Sequence, residues 1–190
     1  MDAKVDISQT TLKTPRLLLR PWAMEDLEDF YRYARVEEVG RMAGWPPHED
    51  REVSRGILAG FIREKKVFAL QYRENGRVIG SLGLERLSID LGSPYTHLVG
   101  RELGYVLSKD CWGMGLMPEA VQRVIRYCFE EQRYDFLQIS HSLTNLRSQR
   151  VIQKCGFSFI KEQSRVSETG ESRTSRYYLL ERGQQRPPAP

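Results

Sequence analysis

Apolar residues along this chain recur at two different spacings, and the switches between them mark its elements. Leu17, Leu18 and Leu19 between Arg16 and Arg20 predict a first strand over 16–20, ended by Pro21. Over 24–36 the spacing becomes helical: Leu27, Phe30, Tyr31 and Ala34 share one face, with Glu25 and Asp26 in the first turn. Gly44, Pro46 and Pro47 interrupt, and a second helix is expected over 50–65, with Val53, Ile57, Leu58, Phe61 and Ile62 inward. Strands over 67–72 and 78–84 flank Glu74-Asn75-Gly76-Arg77, which reads as a type I′ hairpin turn. A loop broken by glycine and proline over 88–100 leads to a strand over 102–107. The helix over 118–132 turns Val121, Val124, Ile125 and Cys128 inward. A short strand over 136–141 and a helix over 145–154 follow, the helix capped by Gly156. Two long strands over 157–166 and 173–180 join around Thr169-Gly170.

This order predicts an α/β (α+β) fold with a mixed, twisted sheet of about seven strands and about four flanking helices. A single domain is expected over 14–181, with flexible termini at 1–13 and 182–190. The strand at 102–107, its crossover helix and the strand at 136–141 form a βαβ unit, so those two strands should be parallel. Ligands bind at the carboxyl ends of such strands, where 112–117 and 141–145 lie.

The bulk numbers narrow the chemistry. With 190 residues the chain is long enough for one full core. Its 29 basic and 25 acidic residues are interspersed, which favours an anionic ligand over a nucleic-acid stripe. Three cysteines, Cys111, Cys128 and Cys155, without CxxC spacing read as free thiols of a reducing, cytoplasmic compartment. His48, His97 and His141 are scattered, so no metal site is expected, and no apolar run approaches membrane-spanning length. The oligomeric state, monomer or homodimer, is left open.

The stretch 102–120 holds the candidate chemistry. A strand runs through Gly113 and Gly115 into a helix with Pro118 and Glu119 in its first turn. Glycines let a backbone approach a ligand, and the unpaired amides of a helix start suit a phosphate group. No Gly-Lys-Ser/Thr follows, so this is not a P-loop, and the third glycine of a dinucleotide fingerprint is missing.

Four segments in order then resemble a known family. They are Thr14-Pro15-Arg16-Leu17-Leu18-Leu19-Arg20; Val78-Ile79-Gly80; Glu102-Leu103-Gly104-Tyr105-Val106-Leu107 running into Trp112-Gly113-Met114-Gly115-Leu116-Met117-Pro118-Glu119-Ala120; and 145–157, with Asn145, Ser148, Gly156 and Phe157. Together they resemble the GNAT acyl-CoA-dependent N-acetyltransferases, in the branch with the ribosomal-protein N-terminal acetyltransferases. The resemblance implies two splayed central strands and acetyl-CoA as cosubstrate, without a metal. It implies that Tyr105, Val106 and Leu107 hold the pantetheine and the thioester carbonyl. Trp112, Gly113, Met114, Gly115, Leu116 and Met117 would hold the pyrophosphate, and Asn145 with Ser148 would meet the pantetheine from the other side. The acceptor is a primary amine, either a protein N-terminus such as that of a ribosomal protein, or a small molecule. Trp45 is a candidate lining residue for it.

An attacking amine must lose a proton. Glu102, which shares a strand face with Gly104 and Val106, and His141, at the end of the neighbouring strand, are the candidate bases. Many relatives place a tyrosine general acid four residues before the Gly-Phe pair, but this chain has Ile152 there. Ser148 is the nearest hydroxyl that could take that role. The alternative reading is a non-catalytic acyl-CoA-binding or regulatory domain.

Overall fold

The structure, a computed structural model, describes residues 1–166 and 172–184. The expected turn at Thr169-Gly170 and most of the expected tail lie outside the described residues. The chain divides into two compact units. The N-terminal unit comprises Lys4–Leu84 and Gly104–Val124; the C-terminal unit comprises Met1–Ala3, Glu85–Leu103 and the chain from Ile125 onward.

In the N-terminal unit, β1 (Leu12–Lys13), β2 (Leu17–Pro21), β3 (Val67–Tyr72) and β4 (Val78–Glu85) lie side by side in that order. β1 pairs antiparallel with β2, β2 with β3, and β3 with β4. The second half of β5 (Gly100–Leu107) lies beside β4. Three helices, α1 (Leu27–Ala34), α2 (Glu37–Ala43) and α3 (Arg51–Glu64), precede β3. Trp22, Phe30, Tyr33, Val39 and Leu58 form a buried cluster with Ala69 and Val78 of the sheet. Burial of these large side chains is the main drive for this packing. Asp50 starts α3 by accepting the Val53 amide at 2.9 Å.

Two elements exceed the sequence reading: β1, and α2 in the stretch expected to be a break. Val36 takes an extended conformation (ψ 118°), which ends α1 and lets α2 start afresh, and Gly44 closes α2 at φ 91°. Gly40 sits inside α2 because a Cβ there would lie 2.6 Å from the Trp45 carbonyl oxygen. The 73–76 turn is also not type I′. Gly76 has positive φ (72°) but Asn75 does not, and the loop closes through the Gly76 amide on Tyr72 and the Tyr72 amide on Arg77.

In the C-terminal unit the strand order is β5, β6 (Phe136–Ser142), β8 (Ser172–Glu181), β7 (Ser158–Val166). β5 and β6 are parallel, and β6–β8 and β8–β7 are antiparallel. The chain enters this unit at Ile125, near the end of the helix α4 (Leu116–Arg126) that begins in the N-terminal unit, and runs through a π turn over Tyr127–Glu131 to β6, which α5 (Leu146–Lys154) follows. Leu103, Phe136, Leu137, Ile139 and Ile152 are buried.

The first thirteen residues, expected to be a flexible terminus, are built into the fold. The Ala3 amide donates to Gly100 in the C-terminal unit, and the Ile7 amide to Lys65 in the N-terminal unit. Ala3, Ile7 and Leu12 are buried. No helix among the described residues is long and apolar enough to cross a membrane.

Candidate active site

The N-terminal unit carries the glycine loop. The Ser108 amide donates to Ile79 of β4 at 2.7 Å, so the Ser108 backbone faces β4. The Val106 carbonyl oxygen also lies on that side, 2.3 Å from where a Cβ on Gly80 would sit. Only glycine tolerates this approach. The peptide groups of Tyr105 and Leu107 therefore point the other way. The sequence reading gave Val106 the same role as its neighbours; the alternation of the strand separates it from them. The Leu107 carbonyl accepts the Trp112 indole N–H at 2.9 Å, which folds the chain back through a short turn over Lys109–Cys111. Lys109 pairs with Glu38.

Gly113 and Gly115 then adopt φ of +80° and +74°. Leu116 opens α4, so the first amides of that helix follow the second glycine directly. Among the described residues, no protein acceptor takes the amides of Gly113, Met114, Gly115, Leu116 or Met117. A Cβ on Gly113 would meet nothing within 4 Å. Unpartnered donors at the positive end of a helix, with open space at Gly113, fit a phosphate group.

Glu119, one turn into α4, ties this loop to β2. Its carboxylate accepts the Thr14 hydroxyl at 2.5 Å, the Arg16 amide at 2.9 Å and the Arg16 Nε at 2.7 Å. Arg16 Nη1 in turn donates to the Met114 carbonyl at 2.8 Å. Burial alone would raise the Glu119 pKa, but these donors outweigh it and hold the carboxylate below its ordinary value. Cys111, beside the loop, has its thiol pushed up, mainly by burial, and is no activated nucleophile.

The C-terminal unit carries the candidate base. β5 and β6 pair from Gly100↔Phe136 to Leu103↔Ile139, whereas β5 runs on to Leu107 and β6 to Ser142. Glu102 lies near the end of this ladder, 8% exposed. Its Oε2 accepts the Ser88 amide at 3.0 Å and the Gln138 side-chain amide at 2.5 Å. Its Oε1 accepts the Ser140 hydroxyl at 2.8 Å. No cation is among these partners. Gln138 and Ser140 face Glu102 because residues two apart on a strand share a face. Ser140 is the first of that face beyond the last paired residue, and it is half-buried.

His141 alternates onto the opposite face. It stacks on Tyr178 at 5.5 Å, and that tyrosine is directly paired with Ile139. Its Nδ1 donates to the Ser142 carbonyl at 2.7 Å, so its Nε2 accepts the Tyr178 hydroxyl at 3.1 Å. Burial, the largest influence, lowers its pKa and keeps the ring neutral. Glu102 and His141 therefore do not converge on one proton, and the lone pair of His141 is already taken.

Asn145 caps α5 by accepting the Ser148 amide at 3.0 Å. Ser148 is buried in the first turn. Ile152 is fully buried, an apolar core residue where relatives are expected to carry tyrosine. Trp45 packs on His48 at 5.0 Å and donates its amide to Gly40, which makes it an anchor of the α2–α3 connection.

Residues 16–158 match the family model described as the acetyltransferase (GNAT) domain. The chain belongs to the GNAT acetyltransferases. It is 26% identical over 152 residues to N-acetyltransferase p20 of Bacillus licheniformis, a protein described as uncharacterized, covering 77% of this chain and 82% of that one. Among solved structures, a GNAT-family acetyltransferase from Bacillus anthracis superposes with a TM-score of 0.80 at 19% identity, covering 91% of this chain and 99% of that one. The Microcin C7 self-immunity acetyltransferase MccE, in complex with acetyl-CoA and AMP, superposes with a TM-score of 0.73 at 16% identity, covering 88% and 93%. Likeness at these identities shows the shared fold.

In this N-acetyltransferase the sequence reading reached Glu102 and the glycine loop but missed Gln138, Ser140, Arg16 and Glu119. Strand alternation and the β5–β6 register would have found Ser140. The Arg16–Glu119 pair joins segments 103 residues apart, and no local pattern carries it.

Proposed function

We propose that this enzyme moves an acetyl group from acetyl-CoA to a primary amine by direct attack. The observation that supports it best is the row of unpartnered amides over 113–117, on a chain whose family transfers acetyl groups. In this reading those amides hold the pyrophosphate. The outward edge of β5 at 105–107 takes the peptide-like pantetheine in this reading, through the Leu107 amide rather than its carbonyl, which the Trp112 indole already occupies. Asn145 and Ser148, at the start of α5, are also assigned to the cosubstrate in this reading. Acetyl-CoA supplies the activated thioester; the proton is handled by the protein.

Glu102 is the base in this reading, and it acts through Ser140. Its two oxygens are already covered by three donors, so an incoming amine meets the Ser140 hydroxyl first. As the amine nitrogen bonds to the thioester carbonyl carbon, its proton passes to Ser140 Oγ while the Ser140 proton passes to Glu102 Oε1; the tetrahedral intermediate then collapses with cleavage of the C–S bond, and CoA leaves as a thiolate that takes its proton from solvent. Glu102 Oε1, already hydrogen-bonded to the Ser140 hydroxyl, is placed to take that proton. The acceptor is a protein N-terminal amine or a small-molecule amine.

The test is thiol release from acetyl-CoA with a panel of peptides, polyamines and amino-nucleotides, with the acetylated product identified by mass spectrometry. Turnover with at least one amine is expected. Saturable CoA binding without turnover on any amine would favour a non-catalytic acyl-CoA-binding domain instead.

A further inference from the structure

We propose that Arg16 is a second phosphate-binding group of the coenzyme site, aimed across the glycine loop by Glu119. The inference rests on the acetyl-CoA reading above and adds a side chain to a site otherwise made of main-chain amides.

The orientation comes from four hydrogen bonds. Glu119 Oε1 accepts the Arg16 amide and the Thr14 hydroxyl, and Oε2 accepts Arg16 Nε. The Met114 carbonyl accepts Nη1. Thr14 is itself held, because its Oγ1 accepts the Leu17 amide at 2.8 Å. The Arg73 guanidinium sits on the carbonyls of Thr14 and Pro15, both at 2.9 Å, and fixes the turn from which Arg16 projects.

The guanidinium is therefore fastened along its inner edge and open along its outer one. Nη2 lies 3.6 Å from where a Cβ on Gly115 would sit, beside the residue that turns the chain into α4. Guanidinium has five N–H donors, of which this framework takes two. The Arg16 side chain is 42% exposed, while Glu119 is 16% exposed and turned inward. The pair presents its positive end to the loop and hides its negative end. A planar donor fork at that position suits a phosphate oxygen pair. Thr14 and Arg16, two residues apart ahead of β2, both hydrogen-bond to Glu119.

The experiment compares Arg16→Ala and Arg16→Lys with the wild type. CoA affinity is measured by isothermal titration, and kcat/KM is measured with acetyl-CoA and with acetyl-pantetheine, which lacks the phosphates. Arg16→Ala should weaken CoA binding about ten- to hundredfold, as loss of a charged hydrogen bond does. Its kcat/KM with acetyl-pantetheine should stay within about twofold. Arg16→Lys keeps the charge, folds with less disturbance and should fall between the two. Unchanged CoA affinity overturns the proposal. So does an equal loss with both thioesters, which would make Arg16 a purely structural strut. Wild-type turnover of acetyl-CoA tests the underlying acetyltransferase reading separately.

Discussion

Replacing Glu102 by glutamine removes the proposed proton acceptor while keeping its shape. The local network decides what else it costs. Oε2 faces two donors, the Ser88 amide, which cannot turn, and the Gln138 NH2. Oε1 faces the Ser140 hydroxyl, which can rotate to accept. The new amide therefore settles with its oxygen towards Ser88 and Gln138 and its NH2 towards Ser140. All partners stay satisfied, so the stability loss should be below about 2 kcal/mol. Ser140 now accepts where it donated, and the relay cannot deliver a proton. Loss of a general base typically slows the chemical step by about a hundred- to ten-thousandfold. The assay is kcat for thiol release at saturating acetyl-CoA and amine, with thermal unfolding run beside it. The variant should keep its melting temperature within a few degrees and its CoA affinity within about twofold. A variant that kept more than a third of wild-type kcat would refute Glu102 as the base. Equal loss of CoA affinity and rate would show that the residue only shapes the fold.

Ser140→Ala should lower kcat by about tenfold or more without changing acetyl-CoA KM, and Ser140→Thr should restore most of it; an alanine variant at full rate would remove Ser140 from the relay. Gly80→Ala drives a Cβ to 2.3 Å from a main-chain oxygen, so it should cost about 1–3 kcal/mol by chemical denaturation. An unchanged midpoint would contradict the close β4–β5 approach. His48 and His141 both have pKa values lowered by burial, so the unfolded chain takes up protons that the folded one refuses. Their contribution is present above the unfolded histidine value near 6.5 and is lost as pH falls from there towards the lowered folded values. The His48→Gln, His141→Gln pair should flatten the fall in melting temperature across that window. Glu119, held below its ordinary value, should keep Arg16 in place until pH falls below the ordinary glutamate range, so the Arg16→Ala loss of CoA affinity should be the same size at about pH 5.5 and about pH 8 when titrated.

Much of this protein was readable from local pattern. The helical spacing of Leu27, Phe30 and Ala34 and the apolar strands on either side of Asn75-Gly76 announced their elements. The Gly113-Met114-Gly115 turn into Pro118 announced the glycine loop and the helix start behind it. These features depend on residues near one another in the chain, where sterics and side-chain periodicity act. The short helix α2 escaped because its start depends on one extended residue, Val36, and its interior holds a glycine required by Trp45. The ordered first residues escaped because their partners, Lys65 and Gly100, are far along the chain.

The chain's own order of residues determined a mixed α/β fold, a parallel βαβ unit and a glycine turn at the start of a helix. Tertiary structure alone decided which candidate groups meet. Strand pairing put Ser140 and Gln138 on Glu102 and left His141 on the other face with Tyr178. Packing brought Arg16 and Glu119 together across 103 residues. Hydrogen bonds and buried charges act over a few ångströms of space, and only the folded backbone converts positions in the sequence into such distances.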